Sequence, residues 1–444
     1  MPDTIAAIST PYGSGGIAVA RVSGSDAISI VERLTCPLQS AKGYTIHHAM
    51  LHRAGQNDDI LDEVLVSVFR APHSFTGEDV VEIACHGSLF IQQELLRWLT
   101  DEGCRLAKAG EFTQRAFLNG KMDLTQAEAV ADLIASETKA EKDLALSHLR
   151  GGITTELDAL REQLLHFTSL VELELDFADH EELEFADRSE LSALSLQLSQ
   201  HLDRLVKSFR AGNAIKNGIA VAIVGPTNAG KSTLLNALVG EDRAIVSDIE
   251  GTTRDTIEER VVIDGILFRF IDTAGLRETN DTIESLGIER SRKAMEQAQI
   301  VVAVSDKEPG ANSQEPEVSG QFVIQVQNKA DLLGDHTAWA AVKDRILISA
   351  KNGEIEPLRQ ELVRLAKEQI NHNGTIISNA RHYEALVRAK EAIERVQIGL
   401  QDGLSGEFLS MDLQDCLNAL GEITGKITSQ EVLNNIFAKF CIGK

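Results

Sequence analysis

The sequence predicts a multidomain α/β and α fold, in which a domain with a mostly parallel six-stranded sheet is inserted into a helical domain and preceded by an α+β domain. Three observations predict it. The 444 residues exceed what one hydrophobic core usually holds. Short β-like runs occur in two separate regions of the chain. Long helical stripes flank the second of these regions on both sides.

The composition indicates a cytoplasmic protein that does not wrap a long nucleic acid. The chain has 67 acidic against 43 basic residues and a formal net charge of -24, whereas phosphate contacts come from clusters of Lys and Arg. The first ten residues, MPDTIAAIST, have neither the basic start nor the apolar core of a signal peptide. No run of about 18 apolar residues occurs, so we expect no membrane segment. Five scattered cysteines without C-x-x-C spacing argue against a zinc ribbon or a disulfide framework.

Residues 1–118 are predicted to form the α+β domain. The runs GGIAVARV, EVLVSVF and DVVEIACH have the composition of strands, and SLFIQQELLRWLTDEG has the spacing of an amphipathic helix.

Residues 119–214 are predicted to be helical. Two apolar stripes step through this region by three and four residues. The first comprises Ile153, Leu157, Leu160, Leu164, Phe167 and Val171, and the second Leu191, Leu194, Leu198, Leu202, Leu205 and Phe209. We expect these helices to pack in antiparallel orientation, joined by the acidic connector DFADHEELEFADRSE.

Residues 215–371 are predicted to form the sheet domain. Strand-like runs occur in GIAVAIVG, EERVVIDGILFRFID, QIVVAVS, QFVIQVQN and RILIS, which together give six strands. The dipeptide Asp264-Gly265 suits a tight hairpin, so one edge strand should be antiparallel. The segment DKEPGANSQEPEVSGQ is too short and too interrupted by Pro and Gly for a full crossover helix.

Residues 372–444 are predicted to be helical again, through ARHYEALVRAKEAIERVQIGL and SGEFLSMDLQDCLNALGEITG. Because the helices on both sides of the sheet domain have apolar stripes that need cover, we expect them to form one bundle. The sheet domain is then an insertion into this bundle.

The segment Gly225 to Ser232 fits G-x-x-x-x-G-K-[ST] between a strand and a helix. In such a loop the backbone N–H groups face phosphates, Lys231 reaches the β and γ oxygens, and the hydroxyl of Ser232 binds Mg²⁺. The alternative is a glycine turn with a structural role only. Three further motifs argue against that alternative.

These motifs each follow a predicted strand. IDTAG places Asp272 near the Mg²⁺ shell and Gly275 near a γ-phosphate. NKAD provides Asp331, which can accept hydrogen bonds from N1–H and the exocyclic amine of guanine, whereas adenine lacks that amine. SAK places N–H groups near the guanine oxygen. The sequence therefore predicts a P-loop GTPase domain that binds GTP through Asn228, Ala229, Gly230, Lys231, Ser232, Thr233, Ser247, Thr253, Asp272, Thr273, Ala274, Gly275, Asn328, Lys329, Asp331, Ser349, Ala350 and Lys351.

Two choices stay open on the residues alone. In EGTTRD, Thr253 is preferred as the hydroxyl ligand of Mg²⁺, and Thr252 is the alternative. Leu276 follows DTAG where other GTPases have a water-orienting glutamine, and an apolar side chain cannot polarise water. The candidates for that role are Arg277, Glu278, Asp281 and Glu284, among which a carboxylate is preferred.

Several motifs together resemble the MnmE (TrmE) family of tRNA modification GTPases. They are the phosphate loop with Asn228, GTTRD, DTAGLRE, DTIAAISTPYGSGGIAVARVSG, FTGEDVVEIACHG, GEFTQRAFLNGKMDLTQAEAVADLI and the terminal CIGK. The likeness covers the whole chain. It implies GTP hydrolysis that depends on K⁺ and on dimerisation of the GTPase domains. By motif, K⁺ would be bound by Asn228, Ser247, Ile249 and Thr252, and Mg²⁺ by Ser232 and Thr253. The resemblance assigns the water-orienting role to Glu284. Glu284 and Lys231 are then the catalytic residues of GTP hydrolysis.

The resemblance also implies a one-carbon donor site. The N-terminal domain of the family dimerises and binds a tetrahydrofolate derivative, 5-formyl- or 5,10-methylene-tetrahydrofolate. The contacts map by motif to Arg21, Glu78, Lys121 and Lys444. Cys441 in CIGK resembles the functional cysteine of the family.

The reaction implied is formation of an aminomethyl or carboxymethylaminomethyl group at C5 of the wobble uridine of certain tRNAs. The implied partners are a second copy of the chain, tRNA and the FAD-dependent MnmG (GidA) subunit, in a heterotetramer. The absence of a G-x-G-x-x-G fingerprint after a strand is consistent with a flavin carried by the partner. The alternative is a ribosome-assembly GTPase of the Era or Der kind, which would carry an RNA-binding module with a basic face.

Overall fold

A computed structural model describes residues 3–176, 188–241, 258–271, 292–306, 322–332, 345–370, 374–438 and 440–443. The chain divides into two compact units. The first comprises Met1–Ala131, His148–Thr155 and Leu420–Lys444, and the second comprises Asp132–Ser147 and Glu156–Ala419. Each unit contains a six-stranded sheet.

The sheet of the first unit is almost entirely antiparallel. Its strands are β1 (Ile5–Ile8), β2 (Ile17–Ser23), β3 (Thr45–Arg53), β4 (Gln56–Phe69), β5 (Val80–His86) and β6 (Arg105–Leu106). They are ordered β3-β4-β5-β2-β1-β6. The pair β1 and β6 is parallel, and the other neighbours are antiparallel.

Helices cover one face of this sheet. They are α1 (Ala27–Leu34) and α2 (Leu89–Asp101). The next helices along the chain are α3 (Glu111–Leu118) and α4 (Leu124–Ala135). Phe112 of α3 packs with Ile5 and Ala7 of β1, on the opposite face of the sheet. Leu34 of α1 and Leu99 of α2 belong to one buried apolar cluster with Val66 of β4. The alternating pattern of β2 and β5, buried on one side, follows from this cover. The α+β prediction for the N-terminal region is therefore confirmed.

Three helices lead from α4 to the second sheet, and the predicted apolar stripes of the two longer ones are largely buried. They are α5 (Lys139–Leu149), α6 (Gly152–Asp176) and α7 (Arg188–Asn217). All six stripe residues of α6 are buried, and in α7 only Leu194 and Phe209 are partly exposed. His201 of α7 contacts Glu156 of α6. Residues 177–187 of the acidic connector lie outside the described residues, and the antiparallel orientation stays a prediction.

The sheet of the second unit is mostly parallel. Its elements are β7 (Ile219–Val224), α8 (Lys231–Glu241), β8 (Glu259–Ile263), β9 (Ile266–Phe270), β10 (Ile300–Ser305), β11 (Phe322–Gln327) and β12 (Ile346–Leu347). The strand order is β12-β11-β10-β7-β9-β8. The central strand β7 is buried along its whole length, as expected for a parallel strand covered on both faces. The segment between β10 and β11 that was predicted to be too short for a full crossover helix falls almost wholly on residues 307–321, which lie outside the described residues.

The predicted hairpin between β8 and β9 is confirmed. The two strands are antiparallel, and Ile263 pairs with Ile266 across the turn. Asp264 and Gly265 both have positive φ, at 50° and 75° respectively. This conformation belongs to the type I′ turn, which Asp-Gly favours because Asp tolerates positive φ and Gly, without a Cβ, adopts it freely.

The helices before and after the sheet contact each other. The helices that follow it are α9 (Glu356–Ile370), α10 (Ala380–Gln401) and α11 (Gly406–Thr424). The ring of Tyr383 in α10 stacks on Phe209 of α7 with centroids 4.4 Å apart. Lys390 Nζ donates to Asp203 Oδ1 across the same helix pair at 2.8 Å. This packing is what the insertion of a sheet domain into a helical bundle requires.

The last helix, α12 (Gln430–Phe437), belongs to the first unit. Leu433 and Phe437 of α12 form a buried apolar cluster with Leu124 and Ala127 of α4. The chain's end therefore packs on its beginning. Among the described residues, no helix is long and apolar enough to cross a membrane.

Candidate functional site

The loop between β7 and α8 depends on two glycines. Gly225 has φ 148°, and a Cβ there would lie 2.1 Å from Val304 O in the next strand. Gly230 has φ 91°, and a Cβ there would lie 2.2 Å from Asn328 Nδ2. Both positions therefore exclude a side chain. Asn228, between them, is exposed and has φ 65°, a conformation that Asn tolerates better than most residues.

Lys231 at the start of α8 folds back over this loop. Its Nζ donates to Gly225 O and to Pro226 O, each at 2.8 Å. Burial lowers the pKa of the Lys231 ammonium, because a desolvated cation is disfavoured. The ammonium is thus held above the loop by two neutral carbonyls, and a phosphate would be a stronger acceptor for it.

Asn328 connects three predicted motifs. Its side chain is 3% exposed. Its Nδ2 donates to Ala229 O at 2.8 Å, and its Oδ1 accepts from Ala350 N at 3.1 Å. The P-loop, NKAD and SAK motifs therefore meet at the carboxyl ends of β7, β11 and β12, where ligands of parallel sheets bind.

Asp331 and Lys329 have different environments. Ser349, which is fully buried, donates its hydroxyl to Asp331 Oδ1 at 2.7 Å, while Asp331 itself is exposed. Lys329 has φ 62°, and its Nζ donates to Asp306 Oδ2 at 2.7 Å. Asp306 was not singled out from the sequence, because nothing in its spacing points to Lys329.

In the first unit, Arg21, Glu78 and Lys121 surround one loop, residues 72–78. The guanidinium of Arg21 lies 5.3 Å from the centroid of the Phe75 ring. Lys121 Nζ donates to Pro72 O at 2.9 Å, and Glu78 lies at the end of the loop. The structure thus brings these three predicted residues together, although they are far apart in sequence.

Arg21 is oriented by an ion pair and by aromatic rings. Its Nε donates to Glu82 Oε1 at 2.9 Å across the β2–β5 pair. Besides Phe75, the ring of the fully buried Phe112 lies 5.6 Å from the guanidinium. Cation–π contact and the carboxylate together hold the guanidinium in place.

The terminal segment that contains Cys441 is bound to the first unit through its backbone. Gly110 N donates to Cys441 O at 3.3 Å, and Ser9 Oγ donates to Gly443 O at 3.0 Å. Ile442 forms an antiparallel bridge with Ala109. Cys441 is exposed. Of the other four cysteines, Cys36 is partly buried and Cys85, Cys104 and Cys416 are buried.

Family profiles match most of the chain. The MnmE helical domain matches residues 124–441, and the N-terminus of the GTP-binding protein TrmE matches residues 4–121. The tRNA modification GTPase MnmE of Parabacteroides distasonis is 55% identical over 465 residues, covering 99% of this chain and 100% of the relative. The chain belongs to the MnmE family.

Less similar members of the MnmE family also match this chain over its whole length. The MnmE proteins of Bacteroides thetaiotaomicron and Flavobacterium johnsoniae are 51% and 47% identical, each covering 100% of this chain and 99% of the relative. Among solved structures, the G domain of the FeoB iron transporter of T. maritima is 22% identical and covers 33% of this chain and 98% of that chain. Its TM-score is 0.24, so no argument rests on that likeness.

Several predicted site residues of this MnmE family member lie outside the described residues. They are Ser247, Ile249, Thr252, Thr253, Asp272, Thr273, Ala274, Gly275, Glu284 and Lys444. Ser232 and Thr233 are described, in the first turn of α8. Among the described residues, no group of three or more His, Cys, Asp or Glu side chains could hold a metal ion. The roles of all these residues stay predictions.

Arg115 is the residue of the first unit that sequence reasoning missed. It lies within the family motif GEFTQRAFLNGKMDL and was not distinguished from its neighbours there. In the structure it is 8% exposed and pairs with Asp3, Glu78 and Glu111. The signal that distinguishes Arg115 is its burial. The helix α3 has eight residues, which is too short for the sequence pattern to show which side chains are buried.

Proposed function

We propose that the chain hydrolyses GTP and uses this activity in tRNA modification, as the names of its relatives state for them. The observation that carries the proposal is the buried amide of Asn328, which bonds the P-loop on one side and SAK on the other. One side chain thereby couples the phosphate-binding loop to the predicted base-binding loops. A glycine turn with only a structural role would not need that connection.

We propose that Asp331 selects guanine. Ser349 occupies one of its carboxylate oxygens, and a carboxylate has further acceptor sites. These sites suit the N1–H and the amine of guanine, whereas adenine offers no such pair of donors. A site built to accept hydrogen bonds rejects the analogue that lacks the donors.

We propose that Mg²⁺ and K⁺ bind beside the phosphates of GTP. Ser232 and Thr253 would bind Mg²⁺, and Asn228, Ser247, Ile249 and Thr252 would bind K⁺. Of these, Asn228 supports the assignment, because its exposed side chain stands in the P-loop itself. Bound cations there neutralise charge that develops on the phosphates. Lys231 adds a positive charge at the same place, and Glu284 would orient the attacking water.

In the first unit we propose a tetrahydrofolate site at Arg21, Glu78, Lys121 and Lys444. The donor would be 5-formyl- or 5,10-methylene-tetrahydrofolate. The residues fit such a ligand, because Arg and Lys suit its glutamate carboxylates and a carboxylate suits the N–H groups of its aminopyrimidine edge. The common contact of Arg21, Glu78 and Lys121 with loop 72–78 supports a single site.

We propose that the product is an aminomethyl or carboxymethylaminomethyl group at C5 of the wobble uridine, with Cys441 taking part. The proposed assembly is a homodimer joined by the FAD-dependent MnmG subunit in a heterotetramer, in the cytoplasm, acting on tRNA. Its redox chemistry would belong to the flavin of the partner.

The nucleotide part is tested with the purified chain. Binding and turnover of GTP and ATP are measured for the wild type, for Asn328→Ala and for Gln360→Ala, a matched control in which an exposed amide on α9 is removed. We expect GTP binding in the wild type and in the control, and a loss of at least tenfold in Asn328→Ala, because two buried backbone groups lose their partner. Equal binding of ATP, or full GTP turnover in Asn328→Ala, would contradict the proposal.

A further inference from the structure

Arg115 of α3 is a buried arginine surrounded by carboxylates. Its Nη1 lies 3.2 Å from Glu78 Oε1 and 3.1 Å from Glu78 Oε2. Its Nη2 donates to Asp3 Oδ1 at 2.9 Å and to Glu111 Oε1 at 3.2 Å. Nη1 also donates to Asp3 O at 2.8 Å. A guanidinium has a fixed fork geometry, so these contacts fix its plane.

The Glu78 carboxylate is held from a second direction by buried hydroxyls. Ser23 Oγ donates to Glu78 Oε2 at 2.7 Å and lies 2.8 Å from Thr76 Oγ1. Glu78 N donates to Thr76 Oγ1 at 3.2 Å. Ser23 and Thr76 are both fully buried. Glu78 is therefore held by hydrogen bonds with strand β2, with its own loop and with α3.

The neighbouring carboxylates of the cluster are satisfied by Arg105. It pairs with Asp3 and with Glu111. Burial raises the pKa of Glu111, but hydrogen bonds from Arg105, the Lys108 N–H and Arg115 outweigh it and lower the pKa below its ordinary value. Hydrogen bonding to Arg105 likewise lowers the pKa of Asp3. The two guanidinium groups thus face three carboxylates, and the cluster has a net charge of minus one.

Counting acceptor sites shows which atom of Glu78 is left for a ligand. An ionised carboxylate has about four lone-pair sites. Oε2 accepts from Ser23 and Arg115, whereas among the described residues Oε1 accepts from Arg115 alone. A planar N–H donor edge, such as that of an aminopyrimidine, matches both this free capacity and the surplus negative charge.

We propose that Arg115 is a positioning residue, which holds the Glu78 carboxylate in the orientation in which Oε1 receives the N–H edge of the folate. Ser23 also orients Glu78, because its hydroxyl donates to Oε2. The proposal rests on the folate site proposed above. Arg115 acts through Glu78 and does not itself touch the ligand.

Binding of 5-formyl-tetrahydrofolate, measured by equilibrium dialysis, tests the proposal. The variants are Arg115→Lys, which keeps the charge but loses the fork, and Ser23→Ala. The control is Arg97→Lys, which alters an exposed ion pair with Glu94 on α2. We expect each variant to weaken folate binding roughly tenfold, the value of one charge-assisted hydrogen bond. GTP turnover and the midpoint of thermal unfolding should match the control.

A double-mutant cycle separates positioning from a general structural role. In a Glu78→Gln background, Arg115→Lys should cause no further loss of folate binding, because the effect passes through the carboxylate. An equal loss in both backgrounds overturns the proposal, as does unchanged folate binding in both Arg115→Lys and Ser23→Ala. If Glu78→Gln alone leaves binding unchanged, the folate site itself is misplaced. That outcome is distinct, because it does not depend on Arg115.

Discussion

At the scale of single residues, Asn328 and Asp331 have different proposed roles in the nucleotide site. The side chain of Asn328 is buried and, within the described part of the chain, bonds to backbone groups of two loops. Its contribution is therefore to the shape of the site. Asp331 is exposed and keeps free acceptor capacity beside the bond from Ser349, so its contribution is to selectivity.

Asp331→Ala should reduce the preference for guanine. We expect GTP affinity to fall by roughly 100-fold, since the site loses two charge-assisted hydrogen bonds, while the weak affinity for ATP changes little. Titration of fluorescent GTP and ATP analogues measures both. Asp402→Ala, an exposed substitution after α10, is the control, and a parallel fall for both nucleotides would argue that Asp331 acts on folding instead.

Glu284→Ala should separate binding from hydrolysis. If Glu284 orients the attacking water, GTP affinity stays near that of the wild type while turnover falls about 100-fold or more, in line with general-base contributions. Single-turnover hydrolysis and nucleotide titration are compared on the same preparation. Unchanged turnover would move the role to Glu278 or Asp281.

At the scale of elements, the terminal segment 440–443 depends on a close backbone approach. Gly443 has φ 93°, and a Cβ there would lie 2.3 Å from Ile8 O. Gly110, with φ 66°, has no room either, because a Cβ would lie 2.7 Å from Phe437 O. These glycines allow the segment to lie against β1 and the start of α3.

Gly443→Ala should therefore release the segment from the first unit. We expect faster alkylation of Cys441, and a loss of tRNA modification with normal GTP turnover. The other cysteines provide an internal reference, because burial raises the pKa of Cys85 to about 11 and of Cys104 and Cys416 to about 12, and thiols react as thiolates. Gly16→Ala, where a Cβ meets nothing within 4 Å, is the control. Unaltered alkylation and modification would show that the segment tolerates the strain.

The sequence predicted elements better than contacts between distant residues. Strands β2, β4 and β5 of the first sheet, the strands of the second sheet and the Asp264-Gly265 hairpin follow from local pattern and turn chemistry, because each is decided within a few residues. Strands β1, β3 and β6 were not named from the sequence. The P-loop and NKAD motifs were found for the same reason. The pairing of Arg115 with Glu78 and the binding of Gly443 to Ser9 join residues far apart in sequence. Such pairs depend on tertiary packing, which periodicity does not encode.

At the scale of the whole molecule, two compact units carry the two proposed sites. The second unit carries the proposed GTPase site, and the first carries the proposed folate site and the terminal cysteine. The two sites lie far apart along the chain. The helices α7 and α10, which precede and follow the sheet domain in sequence, contact each other.

Potassium should raise GTP turnover well above the rate in sodium. The expected ratio is at least about tenfold, the value of one additional charge interaction with the phosphates. Turnover is measured at equal ionic strength in KCl and NaCl, for the wild type and for Asn228→Ala. The potassium effect should disappear in the variant, and equal rates in both salts for the wild type would remove K⁺ from the account.

The most direct test is the analysis of nucleosides in tRNA from cells whose own gene for this chain is deleted. The deleted cells are compared as they are, with the wild-type gene restored, and with the Asn328→Ala gene restored. We predict that C5-modified wobble uridine is present with the wild type and lost, or reduced to a small fraction, with the variant. Full modification without the chain, accompanied by defective ribosomal subunits, would contradict the account and favour a ribosome-assembly GTPase.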